Sequence, residues 1–158
     1  MKQFSIARRA TLLLSVALLT ACASGVKLDD VNGAGGTDYS SQPWNDPKSP
    51  LFKRSVYFDF DSYAVKAEYQ ATLQAHANYL KANKDRKIKI QGNTDERGTT
   101  EYNLALGQRR SEAVRKSLSL LGVADSQMEA VSFGKEKPKA QGSNEAAWQE
   151  NRRADIVY

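Results

Sequence analysis

Residues Gly92–Arg110 read G-N-T-D-E-R-G-T-T-E-Y-N-L-A-L-G-Q-R-R, and the rest of the chain is organised around this stretch. It follows directly on an alternating segment, Lys87–Gln91, that has the pattern of a β-strand. A polar loop comes next and closes at Gly98. Thr99 is a suitable N-cap for a helix that carries Arg110 about three turns in. A strand, a polar loop and a helix in this order commonly present a binding site, so we take this stretch as the candidate functional region.

Alternating apolar and polar residues predict four β-strands. In the first strand, Val56, Phe58 and Phe60 are expected to share the buried face. In the second, Ile88 and Ile90 are expected to point into the core. The four predicted strands are Arg54–Phe60, Lys87–Gln91, Met128–Phe133 and Arg153–Tyr158.

Apolar residues three or four positions apart predict two long helices, each with one stripe facing a sheet. The first helix is Lys66–Ala82, and the second runs from the Thr99 cap to about Leu121. A short third helix, Asn144–Gln149, is expected to have Ser143 as its cap. The predicted stripes are Tyr69, Leu73, His76 and Leu80 in the first helix, and Leu104, Val114, Leu118 and Leu121 in the second.

The element order βαβα-β-α-β predicts an α/β fold of the α+β type. We expect a two-layer sandwich in which both long helices cover one face of a mixed, four-stranded sheet. The second strand directs Lys87, Lys89 and Gln91 to the other face, which is therefore expected to be partly solvated.

Residues 1–21 have the layout of a secretory signal peptide. Met1–Ala10 is basic, and Thr11–Thr20 is apolar but shorter than the roughly 20 residues that a membrane-spanning helix needs. The run then ends in L-T-A-C, which resembles a bacterial lipobox and predicts cleavage before Cys22 and acylation of its thiol. Because Ala23 rather than Asp follows, resemblance to lipoprotein sorting in enteric-type bacteria favours the outer membrane. The alternative is an ordinary signal peptide with an incidental cysteine.

Residues 22–50 are rich in Gly, Ser, Asp, Asn and Pro and lack apolar periodicity, so we expect an acylated N-terminus followed by a flexible linker. Trp44 is the one large apolar residue of this segment. We expect it to pack loosely on the edge of the folded domain, which occupies residues 51–158, rather than to contact a partner.

The net charge does not indicate a nucleic-acid partner. The chain has a formal charge of +5, but three basic residues lie in the signal peptide, which contains no acid. The remainder has 20 basic against 18 acidic residues, a net charge of +2. A protein of this charge balance lacks the strongly basic character that binding to phosphate backbones requires.

The chemical groups of the chain argue against an enzyme. Its single cysteine and single histidine, Cys22 and His76, are too few for a disulfide, a nucleophile–base pair or a typical metal site, and no nucleotide-binding glycine motif is present. We therefore expect no metal and no cofactor. The enzymatic alternative is cell-wall cleavage by two carboxylates, Asp61 and Asp95.

Asp95 and Arg110 are the pair best suited to bind a ligand. An amino-acid end group carries a carboxylate and an ammonium, which a guanidinium and a carboxylate recognise respectively. The alternative is that Asp95 and Arg110 form an ordinary salt bridge. The spacing does not choose between these interpretations, and it requires the loop to fold back over the helix to bring the two together.

Four segments resemble the OmpA-like peptidoglycan-binding domain family over about Phe52–Tyr158. In chain order they are V-Y-F-D-F-D, I-K-I-Q-G-N-T-D-E-R-G-T-T-E-Y-N-L-A-L-G-Q-R-R-S-E-A-V, S-F-G-K-E-K-P and N-R-R-A-D-I-V-Y. The family usually has G-H-T-D where this chain has G-N-T-D. Asn93 keeps a hydrogen-bonding group at the variable position but cannot be protonated near neutral pH, and we expect binding to persist.

The resemblance implies non-covalent binding of the diaminopimelate residue of the peptidoglycan stem peptide. Asp95 is then expected to take the ammonium and Arg110 the carboxylate. The remaining site residues implied by the resemblance are Asp61, Phe60, Asn93, Leu106 and Tyr63. Arg152 and Arg153 match the family's N-R-R segment, and at least one of them is expected to tie down the last strand through an ion pair.

Lipoproteins of this family belong to the Tol system and bind the β-propeller protein TolB through a surface that overlaps the peptidoglycan site. The resemblance therefore implies an outer-membrane lipoprotein whose domain faces the periplasm and tethers the membrane to the cell wall. The alternative is an adaptor whose main role is protein binding to TolB.

Overall fold

The computed structural model describes residues 42–158. The predicted signal peptide, Cys22 and most of the predicted linker lie outside the described residues. Short 3-10 helices occur at Pro50–Phe52, Ala67–Tyr69 and Asp125–Gln127. The longer elements, in chain order, are β1 (Ser55–Tyr57), α1 (Gln70–Ala82), β2 (Ile88–Asn93), α2 (Thr100–Leu120), β3 (Met128–Gly134), α3 (Glu145–Asn151) and β4 (Arg153–Val157).

The strands form one mixed, four-stranded sheet in the order β1-β4-β2-β3. β4 lies antiparallel to both β1 and β2, and β2 and β3 are parallel neighbours. The parallel pair is connected through α2, as a crossover of this kind requires. The predicted mixed sheet and two-layer architecture are confirmed.

One apolar core lies between the sheet and the two long helices. The opposite face of the sheet is polar, with an ion pair between Lys89 and Glu129 at 3.4 Å and a hydrogen bond from Ser55 to Asp155 at 2.7 Å. The predicted inward positions Ile88 and Ile90 are buried. The core comprises Val56, Phe58, Leu73, Ala77, Leu80, Ile88, Ile90, Val114, Leu118, Val123, Met128, Ala154 and Ile156.

The predicted first strand extends too far at its C-terminal end, since β1 ends at Tyr57. The expectation that Phe60 lies on the buried face is therefore wrong. Phe58 still donates a backbone hydrogen bond to Arg152, at 2.9 Å, and its side chain is buried. The chain then turns, and Asp61 adopts a left-handed conformation with φ of 53°. The turn carries Phe60 out of the sheet, so its ring is 62% exposed.

The buried face of α2 differs from the predicted apolar stripe at its N-terminal end. Leu104 is exposed, because it lies at the edge of the face that contacts the sheet. Polar side chains take the buried positions instead, namely Asn103, Arg110 and Ser111. Thr99 caps the helix as predicted, since its hydroxyl accepts a hydrogen bond from the backbone N–H of Tyr102.

The cap of α3 is Asn144 rather than the predicted Ser143. The Asn144 carboxamide oxygen accepts a hydrogen bond from the backbone N–H of Ala147 at 3.0 Å. The helix accordingly begins one residue later than predicted, at Glu145.

Trp44 is buried, so the prediction that it packs loosely is wrong. Its ring stacks on Tyr158, the last residue, with centroids 4.2 Å apart. Tyr158 in turn donates its hydroxyl hydrogen to Nδ1 of His76, because Nε2 of His76 carries the hydrogen donated to the carbonyl of Lys53. Burial lowers the pKa of His76, which is therefore a neutral core residue.

A close backbone contact joins β2 to α2 beside the candidate functional region. A Cβ atom added at Gly92 would lie 1.8 Å from the carbonyl oxygen of Gly107. Only glycine permits this approach, which brings the middle of α2 against the end of β2.

We expect Gly92→Ala to lower the free energy of unfolding by about 3 kcal/mol, because the new methyl group clashes with backbone rather than with a side chain that can move. Urea unfolding followed by circular dichroism measures this change. Leu120→Ala is the control, at a position 80% exposed at the end of α2. It should change stability by less than about 0.5 kcal/mol. Wild-type stability of Gly92→Ala would contradict the close contact.

Candidate functional site

A small pocket lies at the C-terminal end of β2, where the loop after β1, the loop after β2 and the helix α2 meet. Its cavity volume is only about 10 Å³, so its own side chains nearly fill it. Among the residues predicted for the site, it brings together Phe60, Asp61, Asp95, Leu106 and Arg110. Thr94, Arg97, Tyr102 and Asn103 complete the lining.

Arg110 is fully buried and bonded to the backbone at the ends of two strands. Its Nε donates to the carbonyl of Ser62 at 2.8 Å, Nη1 to that of Asn93 at 2.8 Å, and Nη2 to that of Asp59 at 3.1 Å. A guanidinium has five N–H donors. Among the described residues these bonds use three donors, which leaves one on each terminal nitrogen. Burial lowers the pKa of Arg110 to about 10, so the group is still charged at neutral pH.

Arg110 reaches the pocket because α2 packs across β2. The contact between Gly92 and Gly107 sets this packing, and the bond from Arg110 to the Asn93 carbonyl spans from the helix to the strand end. The loop after β2 lies against the first turn of α2, where Asn103 donates to the Arg97 carbonyl, and Asp95 and Arg110 line one pocket.

Asp95 and Arg110 do not pair with each other. Of the ion pairs within residues 42–158, those of Asp95 are to Arg97, at 2.6 Å, and to Arg152, at 3.5 Å. The simple salt-bridge interpretation of Asp95 and Arg110 is therefore wrong. Two groups of opposite charge line the pocket without neutralising each other directly.

The Asp95 carboxylate is nearly buried, at 6% side-chain exposure. Burial raises the pKa of this carboxyl, but hydrogen bonds from Arg97 and the nearby Arg152 outweigh burial and hold the pKa below its usual value. Asp95 is consequently ionised at neutral pH, as recognition of an ammonium requires.

Arg97 is the side chain that covers Asp95. Its guanidinium lies between two aromatic rings, 4.2 Å from the Phe60 ring centroid and 4.0 Å from that of Trp148. Trp148 also donates its indole N–H to Glu96 at 3.1 Å. Trp148 thus anchors α3 to the loop after β2, beside the pocket.

Asp61 lines the pocket from the loop after β1. Tyr102 donates its hydroxyl hydrogen to Asp61, and this hydrogen bond raises the pKa of Tyr102. The bond links the loop after β1 to the first turn of α2, so it closes one wall of the pocket.

Two predicted site residues do not line the pocket. The Asn93 side chain points toward β4 and donates to the carbonyl of Gln91 at 3.0 Å and to Asp155 at 3.4 Å, while its backbone carbonyl supports Arg110. Tyr63 is half exposed and lines a larger, open depression of about 520 Å³ on the surface of α2. Cys22 lies outside the described residues.

Arg152 contacts Asp95 at the pocket, and local sequence patterns did not predict this contact. At least one of Arg152 and Arg153 was expected to tie down β4 through an ion pair. Arg153 pairs with Asp155 within β4 itself, at 2.9 Å, so its pair does not join the strand to another element. Arg152 instead donates to the carbonyl of Phe58 and to Glu145, and reaches Asp95. The N-R-R segment was the signal for Arg152, but its partner lies 57 residues away in the chain, which spacing does not reveal.

The described residues show neither a membrane-spanning helix nor a metal site. Within residues 42–158, no helix is long and apolar enough to cross a membrane. No group of three or more His, Cys, Asp or Glu side chains in that part of the chain could hold a metal ion.

A helix-covered mixed sheet with a charged pocket at a strand end is the arrangement of an OmpA-like domain, and the model of the OmpA family matches residues 57–152. The chain is 46% identical over 144 residues to a peptidoglycan-associated lipoprotein of Pasteurella multocida, covering 91% of this chain and 92% of the relative. It is 45% identical over 150 residues to a protein of the same name from Haemophilus influenzae, with the same coverage of both chains.

The crystal structure of the peptidoglycan-associated lipoprotein from Burkholderia pseudomallei matches with a TM-score of 0.72 and 72% identity, covering 74% of this chain and 99% of that one. The chain belongs to the OmpA family and, within it, to the peptidoglycan-associated lipoproteins.

We expect Asp95→Asn to lower the free energy of unfolding at pH 7 by about 2 kcal/mol, because Arg97 and Arg152 lose a charged acceptor. The pKa of Asp95 is lowered in the folded state, so its stabilising contribution is complete above the unfolded pKa and disappears as pH falls through the folded value. The difference between variant and wild type should therefore shrink below about pH 4. Urea unfolding between about pH 3 and pH 7 measures it.

The control for this measurement is Asp85→Asn, which removes an exposed carboxylate in the turn before β2. It should leave stability within about 0.5 kcal/mol of wild type at every pH. A loss of stability in Asp95→Asn that is the same at low and neutral pH would contradict the ionic role of Asp95.

Proposed function

We propose that this protein is a lipoprotein of the bacterial cell envelope whose domain binds peptidoglycan without covalent chemistry. The ligand is the diaminopimelate end group of the stem peptide. One observation carries the proposal: a buried carboxylate and a buried guanidinium line the same small pocket without pairing with each other. The names of the relatives, peptidoglycan-associated lipoproteins, support the same ligand class.

The free end of diaminopimelate presents an ammonium and a carboxylate on one carbon. Asp95 supplies the negative charge for the ammonium. Arg110 supplies the two remaining N–H donors for the carboxylate, and its other donors are already fixed by backbone carbonyls. A guanidinium held in this way loses little freedom when the ligand binds, so the affinity per contact is high.

The other lining residues suit the aliphatic part of this ligand. Leu106 forms a buried apolar side of the pocket, and the exposed ring of Phe60 lies at its mouth. Asp61 adds a second negative charge that disfavours ligands with additional anionic groups at the mouth. This arrangement accounts for a zwitterionic ligand on a short methylene chain.

The proposed location follows from the N-terminal segment. The lipobox ending at Cys22 supports acylation, and several acyl chains hold a protein on a membrane far more firmly than one. Ala23 favours the outer membrane. With the domain in the periplasm, the protein then tethers the outer membrane to the cell wall, and the residues before Trp44 serve as the tether.

A second partner in this proposal is TolB, through the Tol system. Exposed aromatic rings around the pocket favour a protein contact at the same place: Phe60 is 62% exposed, Tyr63 50% and Tyr102 45%. Aromatic residues of this kind are enriched in protein interfaces. Because Phe60 and Tyr102 line the pocket, the two partners exclude each other. An adaptor that binds mainly TolB is the alternative function.

We expect the purified protein to bind a diaminopimelate-containing stem peptide, and Asp95→Asn to weaken this binding at least tenfold. Replacing diaminopimelate by lysine in the peptide removes the carboxylate that faces Arg110. Loss of such a charged hydrogen-bonding group is worth about 1.5–3 kcal/mol, or roughly a 10- to 150-fold weaker binding. Isothermal titration calorimetry measures both effects.

The matched control is again Asp85→Asn, which removes the same charge far from the pocket and should bind as wild type does. Equal affinity of wild type for the lysine and diaminopimelate peptides would refute the proposed role of Arg110. Release of soluble wall fragments on incubation with peptidoglycan would instead favour the enzymatic alternative.

For the second partner, an excess of the diaminopimelate peptide should reduce capture of TolB by the immobilised protein, because both need the mouth of the pocket. The lysine peptide at equal concentration serves as the control and should compete at least tenfold less well. A complex that holds TolB and the peptide together would show that the two surfaces do not overlap.

A further inference from the structure

The carboxylate proposed to receive the ligand ammonium is already occupied by Arg97. Oδ2 of Asp95 accepts a hydrogen bond from Nη2 of Arg97 at 2.6 Å. Oδ1 accepts from Nε of Arg97 at 3.2 Å and from its backbone N–H at 3.1 Å. The guanidinium thus contacts both oxygens of a nearly buried side chain. Together with the backbone N–H of Arg97 it uses three of the roughly four acceptor positions of the carboxylate, and it covers the side from which a ligand ammonium would approach.

The two arginines that contact Asp95 differ in how firmly they are held. Arg152 is 6% exposed and is fixed by the Phe58 carbonyl and by Glu145. Arg97 is 34% exposed. Apart from Asp95, the described contacts of its guanidinium are the faces of two aromatic rings, and none of its described hydrogen bonds goes to a backbone carbonyl. Arg97 is therefore the cation that can leave.

We propose that Arg97 is an internal competitor that occupies the ammonium position on Asp95, and that a ligand binds only when Arg97 swings out of the pocket. This inference rests on the proposed function of the pocket and adds a regulatory residue to it. Arg97 lines the pocket beside Asp95, so its side chain and a ligand cation claim the same space.

The exchange replaces one cation by another, which keeps its energetic cost low. When Arg97 leaves, Asp95 still has Arg152 at 3.5 Å, so its buried charge never loses every partner. The entering ammonium then restores the second positive charge. Arg97, once released, is compensated by water, because its side chain already lies partly at the surface.

The same exchange makes Arg97 a determinant of specificity. A ligand without a cation can only displace Arg97 by leaving Asp95 with one partner fewer, so neutral and anionic ligands are disfavoured. Ligands that carry the ammonium meet a smaller barrier. The closed arrangement thus selects ligands by charge before they reach Arg110.

Competition from within the protein lowers the apparent affinity, because only molecules in the open state can bind the ligand. The apparent affinity is the affinity of the open state multiplied by the fraction of molecules in that state. If the open state is populated to about 10%, removal of the competitor should tighten binding about tenfold. The change should appear mainly in the association rate, because the competitor acts before the ligand enters.

The experiment compares wild type with Arg97→Gln and Arg97→Lys, using a soluble stem tripeptide that contains diaminopimelate. Calorimetry measures affinity, and stopped-flow fluorescence of Trp148, on which Arg97 stacks, measures association. We expect Arg97→Gln to bind about tenfold more tightly than wild type. Arg97→Lys should fall between them, because it keeps the charge but loses the planar contact with both oxygens.

The matched control is Lys137→Gln, which removes one positive charge from the loop after β3. Lys137 is exposed, and its ammonium packs on the Phe133 ring rather than on Asp95. This variant should bind as wild type does. A gain in affinity equal to that of Arg97→Gln would show that net charge, not competition, is responsible, and would overturn the proposal.

The other outcomes separate this proposal from the proposed function. If wild type binds the tripeptide and Arg97→Gln binds it equally well or more weakly, the pocket is a diaminopimelate site but Arg97 is a bystander or a ligand contact, and the competitor proposal is overturned. If wild type and Arg97→Gln both fail to bind, the proposed function itself fails. Binding by Arg97→Gln alone would support both.

Discussion

The hydrogen bonds from Arg110 to three backbone carbonyls are the interaction on which the rest of this structure depends. They join the ends of β1 and β2 to the middle of α2 through Asp59, Ser62 and Asn93. A buried charge is tolerated only where hydrogen bonds or an opposite charge compensate it. The loops that provide these carbonyls must therefore keep their conformation, and Arg110 builds the pocket wall and supplies its binding group at the same time.

This arrangement divides α2 into two halves with different chemistry. The C-terminal half buries Val114 and Leu118 against the sheet, and it provides the apolar stabilisation of the layer. The N-terminal half buries Asn103, whose carboxamide donates to the Arg97 carbonyl at 2.8 Å and holds the loop after β2. Polar groups so buried stabilise little by themselves. The apolar core therefore stabilises the layer as a whole, while the polar residues of α2 fix the conformation of the pocket loops.

The same division explains what could be predicted from the sequence. Apolar periodicity correctly located Ile88, Ile90 and Leu73, because at those positions burial and apolar character coincide. It failed at Leu104, because the buried face of α2 continues through polar residues. Asp95 and Arg110 could be nominated as a pair from their chemistry, but only the family resemblance favoured ligand binding over a salt bridge. Trp148 and Arg152 could not be connected to the pair, since their contacts with Arg97 and Asp95 join segments about 50 residues apart in the chain.

The positions of the pocket and of the Trp44 cluster at opposite ends of the sheet agree with a tethering role. Register pairs Gly92 with Ala154 beside the pocket and Lys89 with Val157 at the other end, next to Tyr158. Trp44 stacks on Tyr158, so the described chain enters the domain roughly 15 Å along the strands from the pocket.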